Sequence, residues 1–319
     1  MRYKSKPWLP QSDQPGIRVL IATFAIVSFT VAGCDKVEGL VEDGKSLVNG
    51  EEPTVTETAP ATTPKPTIAI PEPVVPAGPT PEQIVAQFRS LHPYEITDGV
   101  LAQLAGSPEA AAAITEIDMK GAKVSANGLS ALSTLPNLES LDISNSRVGS
   151  DSLTVIGKSQ SLKTINLANS DANDRVVSEL SRIPHLQSLD LSGTQVTGGS
   201  ATGLGSMREL TDLSLMGTAA DDQVVAGLTA LPLRKLDLSK SRITNASLPL
   251  ILKIATLETL NVSFNGVTGD GFKGFGKSDI KELNVGETAF GIEGFVAIKG
   301  MKSLEKLNVY GAGLVQHQS

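Results

Sequence analysis

Leu186-Gln187-Ser188-Leu189-Asp190-Leu191-Ser192-Gly193-Thr194-Gln195-Val196 reads L-x-x-L-x-L-x-x-T-x-V, and copies of it run through most of the 319-residue chain. The first apolar position recurs at Ile114, Leu138, Leu162, Leu186, Leu210, Leu233, Leu257, Ile280 and Leu304. The step is constant except at Leu210 to Leu233 and Leu257 to Ile280, where it is shorter by one. A fixed period of about 20–29 residues marks a solenoid, in which a unit buries its apolar face only against its neighbours. Inside each copy the paired apolar residues, from Leu141/Ile143 through Leu189/Leu191 to Leu307/Val309, alternate at period 2. That alternation predicts one face of a short strand.

A second apolar set follows at helical spacing: Leu129, Leu132 and Leu135 in the first copy, Val177, Leu180 and Ile183 in the third. A spacing of three is one face of a helical turn. Pro136, Pro184 and Pro232 follow three of these segments and are expected to stop a helix there. Each unit therefore reads as strand, turn, helix, turn. With these residues in hand, the chain resembles the leucine-rich repeat proteins over about 114–319. The resemblance implies an α/β solenoid with parallel strands on the concave side and helices on the convex side. One departure stands out. The family's ninth position commonly carries Asn or Cys, whereas here it reads Ser146, Ser170, Thr194, Thr218, Ser241, Asn265, Thr288 and Ala312. A hydroxyl has one donor against the two of an amide, so a weaker internal ladder is expected.

The chain is acidic, with a formal net charge of −7, divided as +3 before Cys34 and −10 after it. An acidic mature protein disfavours nucleic acid and anionic lipid surfaces as non-specific partners. The single Cys excludes an intrachain disulfide. Residues 1–33 read as a secretion signal: a long basic start, then the apolar run Val19 to Ala32, too short to cross a bilayer as a helix. Val31-Ala32-Gly33-Cys34 resembles a bacterial lipobox, which implies cleavage before Cys34 and acylation of it, palmitate being one such chain. Several acyl chains anchor far better than one. An ordinary signal peptide with an incidental Cys is the other reading. Asp35 after the Cys resembles the inner-membrane retention signal of enteric bacteria.

Residues 34–80 read as a tether, acidic at first and then rich in Pro and Thr from Pro53. Extended polyproline-like backbone at ~3 Å per residue lets residues 53–80 span up to ~80 Å. Residues 81–113 read as a helical N-terminal cap. Thr80 and Pro81 mark the start of one helix, which carries Ile84, Phe88 and Leu91, and a second runs from Ile96 to Leu104, ending near Gly106. The ninth copy has a strand and Leu314 but no helix, so this end is expected to fray or be covered. Phe272, Phe275, Phe290 and Phe295 are expected to bulk out the core nearby.

Candidate chemistry is sparse. His92, His185 and His317 have no metal-ligand spacing between them, and no nucleophile, phosphate-loop or dinucleotide motif occurs. No cofactor is implied, and the sequence reads as a non-enzyme. Gly198, Gly199, Gly203 and Gly205 read as packing residues. The concave face is where a solenoid of this type is expected to bind. Its central polar column reads Asp118, Asp142, Asn166, Asp190, Ser214, Asp237, Asn261, Asn284 and Asn308. Large anchors beside it are few: Met216, Arg234, Phe264 and Tyr310. Two readings stand: a hydrogen-bonding groove for a protein segment or wall glycan, with Asp142, Asn166, Asp190, Asp237, Asn261, Phe264, Asn284 and Tyr310 as its contacts, or a solvated sheet face. The function expected is a lipid-anchored, extracytoplasmic binding module of the cell envelope. The alternative is a structural spacer that self-associates through an uncapped C-terminal end.

Overall fold

A computed structural model describes residues 78–313, which lie within one compact unit spanning 72–319. The expected signal, Cys34, nearly all of the tether and Leu314 fall outside the described residues.

Nine three-residue strands form one parallel sheet in strict chain order: β1 (Glu116–Asp118), β2 (Ser140–Asp142), β3 (Thr164–Asn166), β4 (Ser188–Asp190), β5 (Asp212–Ser214), β6 (Lys235–Asp237), β7 (Thr259–Asn261), β8 (Glu282–Asn284) and β9 (Lys306–Asn308). The register is uniform: Leu189 pairs with Ile165 on one side and Leu213 on the other, and Asp190 with Asn166 and Ser214. The two shorter copies do not disturb it, because each drops its residue in the loop before the next strand. The ladder runs past the strands into the turns, where the Leu191 N–H donates to Ser214 O at 2.9 Å and the Gly193 N–H to Met216 O at 2.7 Å.

The middle residue of strands β1–β8 is buried, as are Leu186 and Leu191 of the quoted stretch. Each buried leucine is worth roughly 1.5–3 kcal/mol, and the side chains of successive copies interlock into one continuous core. Short helices cover the other side of that core. After α1 (Pro81–Ser90), α2 (Asp98–Ala105) and α3 (Pro108–Ala112) of the N-terminal cap, they are α4 (Ala126–Leu132), α5 (Ser150–Leu153), α6 (Asp174–Leu180), α7 (Ala201–Ser206), α8 (Asp222–Leu228), α9 (Leu248–Ile251) and α10 (Gly291–Ile298). Strands sit ~4.8 Å apart while packed helices need ~8–10 Å, so the sheet takes the inside of the curve. This is a leucine-rich repeat solenoid.

The convex layer is less helical than the spacing predicts. Copy two adds a 3₁₀ turn at Thr154–Lys158, copy four one at Gly198–Ser200, and copy seven has only two 3₁₀ pieces, Gly269–Phe272 and Phe275–Lys277. Glycines allow the close approach. A Cβ on Gly205 would lie 2.7 Å from Gly227 O, and one on Gly227 would lie 2.5 Å from Ala201 O. The prolines act by the expected clash. Pro136, Pro184 and Pro232 each stand four residues after the last helical residue, Leu132, Leu180 and Leu228, whose carbonyls they would strike.

A device invisible in the repeat pattern staples neighbouring convex segments. Asp98 accepts from the Ser125 N–H at 2.8 Å and its hydroxyl at 2.5 Å. Asp174 does the same to Thr197, and Asp222 to Thr244. Asn245 and Thr268 close the series with two bonds of 2.8 Å. Burial pushes the Asp222 carboxyl up, but bonds from Ser247 and Thr244 outweigh it and hold the group below its usual value.

The cap has three helices rather than two: α1 (Pro81–Ser90), α2 (Asp98–Ala105) and α3 (Pro108–Ala112), with a 3₁₀ turn at Pro93–Glu95. Thr80 and Gln83 form a capping box at the start of α1. The extra helix starts at Ser107-Pro108-Glu109, and its Ala110 and Ala111 are buried. At the other end Phe272, Phe275 and Phe290 are fully buried, with ring centroids 4.9 and 5.0 Å apart. Phe295 departs from the expected core role: it is 38% exposed on α10, beside exposed Ile292 and Val296. Its counterpart Val225 is buried because the following copy covers it.

Candidate partner-binding surface

The fifth residue of each copy closes its strand, and wherever it is Asp or Asn its side chain turns toward its own backbone; Ser214 in copy five bonds the Ser192 hydroxyl instead. Asp142 Oδ1 accepts from the Ser144 N–H at 2.7 Å, Asp190 Oδ1 from Ser192 at 2.8 Å and Asp237 Oδ1 from Ser239 at 2.8 Å. Asn166, Asn261, Asn284 and Asn308 repeat the bond to the residue two further on. This is the Asx-turn bond that Asp and Asn make and that ends a strand. Neighbours are also tied: Asn166 Nδ2 donates to Asp142 Oδ2, and Asn261 Nδ2 to Asp237 Oδ2, both at 2.9 Å. The expected groove column is therefore half committed to holding the turns.

Most charged residues at the strand entrances are paired across strands. Lys163 meets Glu139 at 2.7 Å, Lys235 meets Asp212 at 2.9 Å and Lys306 meets Glu282 at 2.5 Å. Lys281 and then Arg234 bond Glu258 and hold its carboxyl below the usual range. Exposed pairs of this kind add little to stability. Their larger effect is to leave little uncompensated charge on this half of the face, and Arg234 is no free anchor.

Phe264 and Tyr310 are not on the strands. Tyr310 is the seventh residue of its copy, 77% exposed; Phe264 is the eighth, 52% exposed. The eighth position has a rule of its own. Gly121, Asn145, Asn169, Gly193, Gly217, Lys240, Phe264, Glu287 and Gly311 all have positive φ, between 53° and 71°. Gly and Asn suit that left-handed conformation; any other residue pays ~1–2 kcal/mol. Copies six, seven and eight nonetheless place Lys, Phe and Glu there in succession. Lys240 Nζ lies 5.0 Å from the centre of the Phe264 ring. This rim was not legible in the repeat pattern, although the column of Gly and Asn was its signal.

The ninth position behaves as the chemistry predicts. Ser170, Thr194, Thr218, Ser241 and Thr288 each donate one bond, of 2.6–2.7 Å, to the carbonyl three residues back. Asn265 Nδ2 reaches Leu238 O, Val262 O and Ser263 O at 2.7, 3.0 and 3.1 Å, so it alone bridges to the preceding copy. The Ser146 hydroxyl is buried without a partner.

Other candidates stay apart. His185 is exposed in a loop, 3.1 Å from Glu209, and His92 stacks on Tyr94 in the cap. Among the described residues no group of three or more His, Cys, Asp or Glu could hold a metal ion. None of their helices is long and apolar enough to cross a membrane.

Comparison with known proteins agrees with this architecture. A family profile described as Leucine Rich repeat matches residues 182–205 and 253–276. The crystal structure of internalin C2 from Listeria monocytogenes is similar, with a TM-score of 0.54 and 15% identity over 66% of this chain and 91% of that one. At that identity the likeness speaks for the fold. A structure titled as a TDR receptor aligns with a TM-score of 0.44 at 19% identity, over 63% of this chain and 40% of that one. No curated protein matches the chain in sequence.

Proposed function

We propose that this protein is a lipid-anchored, extracytoplasmic leucine-rich repeat module that binds another protein through the concave sheet and its C-terminal rim. The observation that carries the binding role is the exposed Met216, Phe264 and Tyr310 beside a regular nine-strand sheet. Aromatic and other large side chains held on rigid elements supply binding energy at low entropic cost. The anchor rests on Val31-Ala32-Gly33-Cys34, with residues 34–80 as the spacer.

The test is crosslinking capture from a bacterial envelope extract with the full chain. Asp237→Ala is a poor probe, because it removes the bonds to Ser239 and Asn261. Ser188→Arg with Thr259→Arg instead plugs the face at two half-buried positions of β4 and β7. A partner captured by the native chain and lost by this folded variant supports the concave face. Equal capture by both sinks it. For the anchor, Cys34→Ser should release the protein from the membrane fraction; unchanged retention removes the lipid.

A second reading has its own observation. Ile292, Phe295 and Val296 form an exposed apolar trio, and β9 has a neighbour on one side only among the described residues. Self-association there would appear as a concentration-dependent sedimentation coefficient that Val296→Glu abolishes. A coefficient independent of concentration rejects it.

A further inference from the structure

Resting on the protein-binding role above, we propose that the turn rim of copies six to nine reads an extended polypeptide segment by charge order: an acidic residue against Lys240, apolar residues against Phe264, and a basic residue against Glu287. Lys, Phe and Glu occupy three successive turns whose left-handed backbone favours Gly or Asn. Strain of this kind persists where the side chain has a use. All three side chains are exposed, and Tyr310 stands on the next turn.

The charges are available. Most strand-entrance charges of these copies are already paired, in the Lys235–Asp212, Arg234–Glu258, Lys281–Glu258 and Lys306–Glu282 pairs. Lys240 and Glu287 form no ion pair among the described residues; Lys240 leans over the Phe264 ring instead. The Glu287 carboxylate lies along the turn of the ninth copy, where a Cβ on Gly311 would come within 2.6 Å of it. Going along the rim, the order is cation, aromatic ring, anion, phenol.

Spacing sets the length of the reading frame. Adjacent turns follow the ~4.8 Å strand separation, so Lys240 and Glu287 stand ~10 Å apart, and an extended chain advances ~3.3 Å per residue. The acidic and basic residues of the partner are therefore three positions apart, with the intervening pair over Phe264. Such a segment crosses the turns instead of adding to the sheet as a strand.

Three labelled peptides test this by fluorescence anisotropy on the full chain, each flanked by Gly and Ser: Asp-Leu-Phe-Lys, Asp-Leu-Phe-Asp and Lys-Leu-Phe-Lys. The native protein should prefer the mixed-charge peptide by about two- to fivefold, the scale of one exposed ion pair. Lys240→Glu should move the preference to the doubly basic peptide, and Glu287→Lys to the doubly acidic one. Phe264→Gly should weaken all three without lowering the melting temperature, since Gly accepts the turn. Absence of binding, equal binding of the three peptides, or a ranking unmoved by the swaps overturns the rim assignment. Envelope capture separates the two levels. Loss of a captured partner in Ser188→Arg with Thr259→Arg, alongside an unmoved peptide ranking, keeps the concave face and rejects the rim. Failure of the native chain to capture any partner rejects the binding role itself.

Discussion

Asn265 and the hydroxyls that share its column make a graded experiment inside one molecule. Asn265→Ala removes the amide that reaches Leu238 O, Val262 O and Ser263 O, and the acceptor of the Ser241 hydroxyl at 3.1 Å. Two of those carbonyls keep a donor: Leu238 O has the Ser241 hydroxyl and Ser263 O has the Lys240 N–H. Val262 O has no other donor among its described neighbours. An orphaned buried carbonyl costs ~1–3 kcal/mol and each lost bond ~1 kcal/mol, so the variant should lose ~3 kcal/mol. Thr194→Val keeps the shape and deletes one bond, while the Thr194 N–H still reaches Leu191 O; it should cost ~1 kcal/mol. Ser146→Ala deletes a buried hydroxyl that bonds to nothing and should cost nothing or gain up to ~1 kcal/mol. Urea unfolding followed by far-ultraviolet circular dichroism reads all three, provided the slope stays constant. Equal losses for the three variants, or a larger loss for Ser146→Ala than for Thr194→Val, would refute the claim that bond count sets the strength of this column.

Two further outcomes follow from packing and charge. Copy seven places Ser278 where other copies bury Leu135, Ile183, Met207, Leu231 and Ile254, and a cleft of about 240 Å³ opens there among Ile251, Leu257 and Ile280. Ser278→Ile should gain ~1 kcal/mol, because new apolar burial of ~1.5–3 kcal/mol exceeds the lost bond to Phe275 O; a lower urea midpoint would show that the cleft cannot take the side chain. Asp222 has its carboxyl held below the usual range, so its staple to Thr244 and Ser247 is intact above the ordinary carboxylate pKa and is lost as pH falls through the lower folded value. Asp222→Asn should therefore be less stable than the native chain at neutral pH and converge with it in acid; a constant difference across that range would exclude the carboxylate as the cause.

The repeat, its phase and the solenoid were legible in the sequence, because a near-constant period with leucines at fixed offsets has one economical way to bury them. The convex helices were legible only as apolar faces. How closely neighbouring convex segments approach, as where Gly205 meets Gly227, is a contact between copies that no single copy encodes. The third cap helix was missed because Gly106 looked like an end, when a second Ser-Pro-Glu start lay directly after it.

The candidate surface divides along the same line. Alternation placed Asp142, Asn166, Asp190, Asp237, Asn261 and Asn284 in one column facing away from the core, since side chains on a strand repeat every second residue. Only the folded chain decided that these side chains bend back onto the turn N–H groups, because that bond forms between residues whose geometry the turn itself creates. It also moved Phe264 from the sheet face to a left-handed turn, and set Lys240, from the preceding copy, over its ring. Sequence alone determined which residues are inside, Phe295 apart, because burial follows pattern. Tertiary structure decided which polar residues remain free to meet a partner, because hydrogen bonds and ion pairs between adjacent copies use up the others.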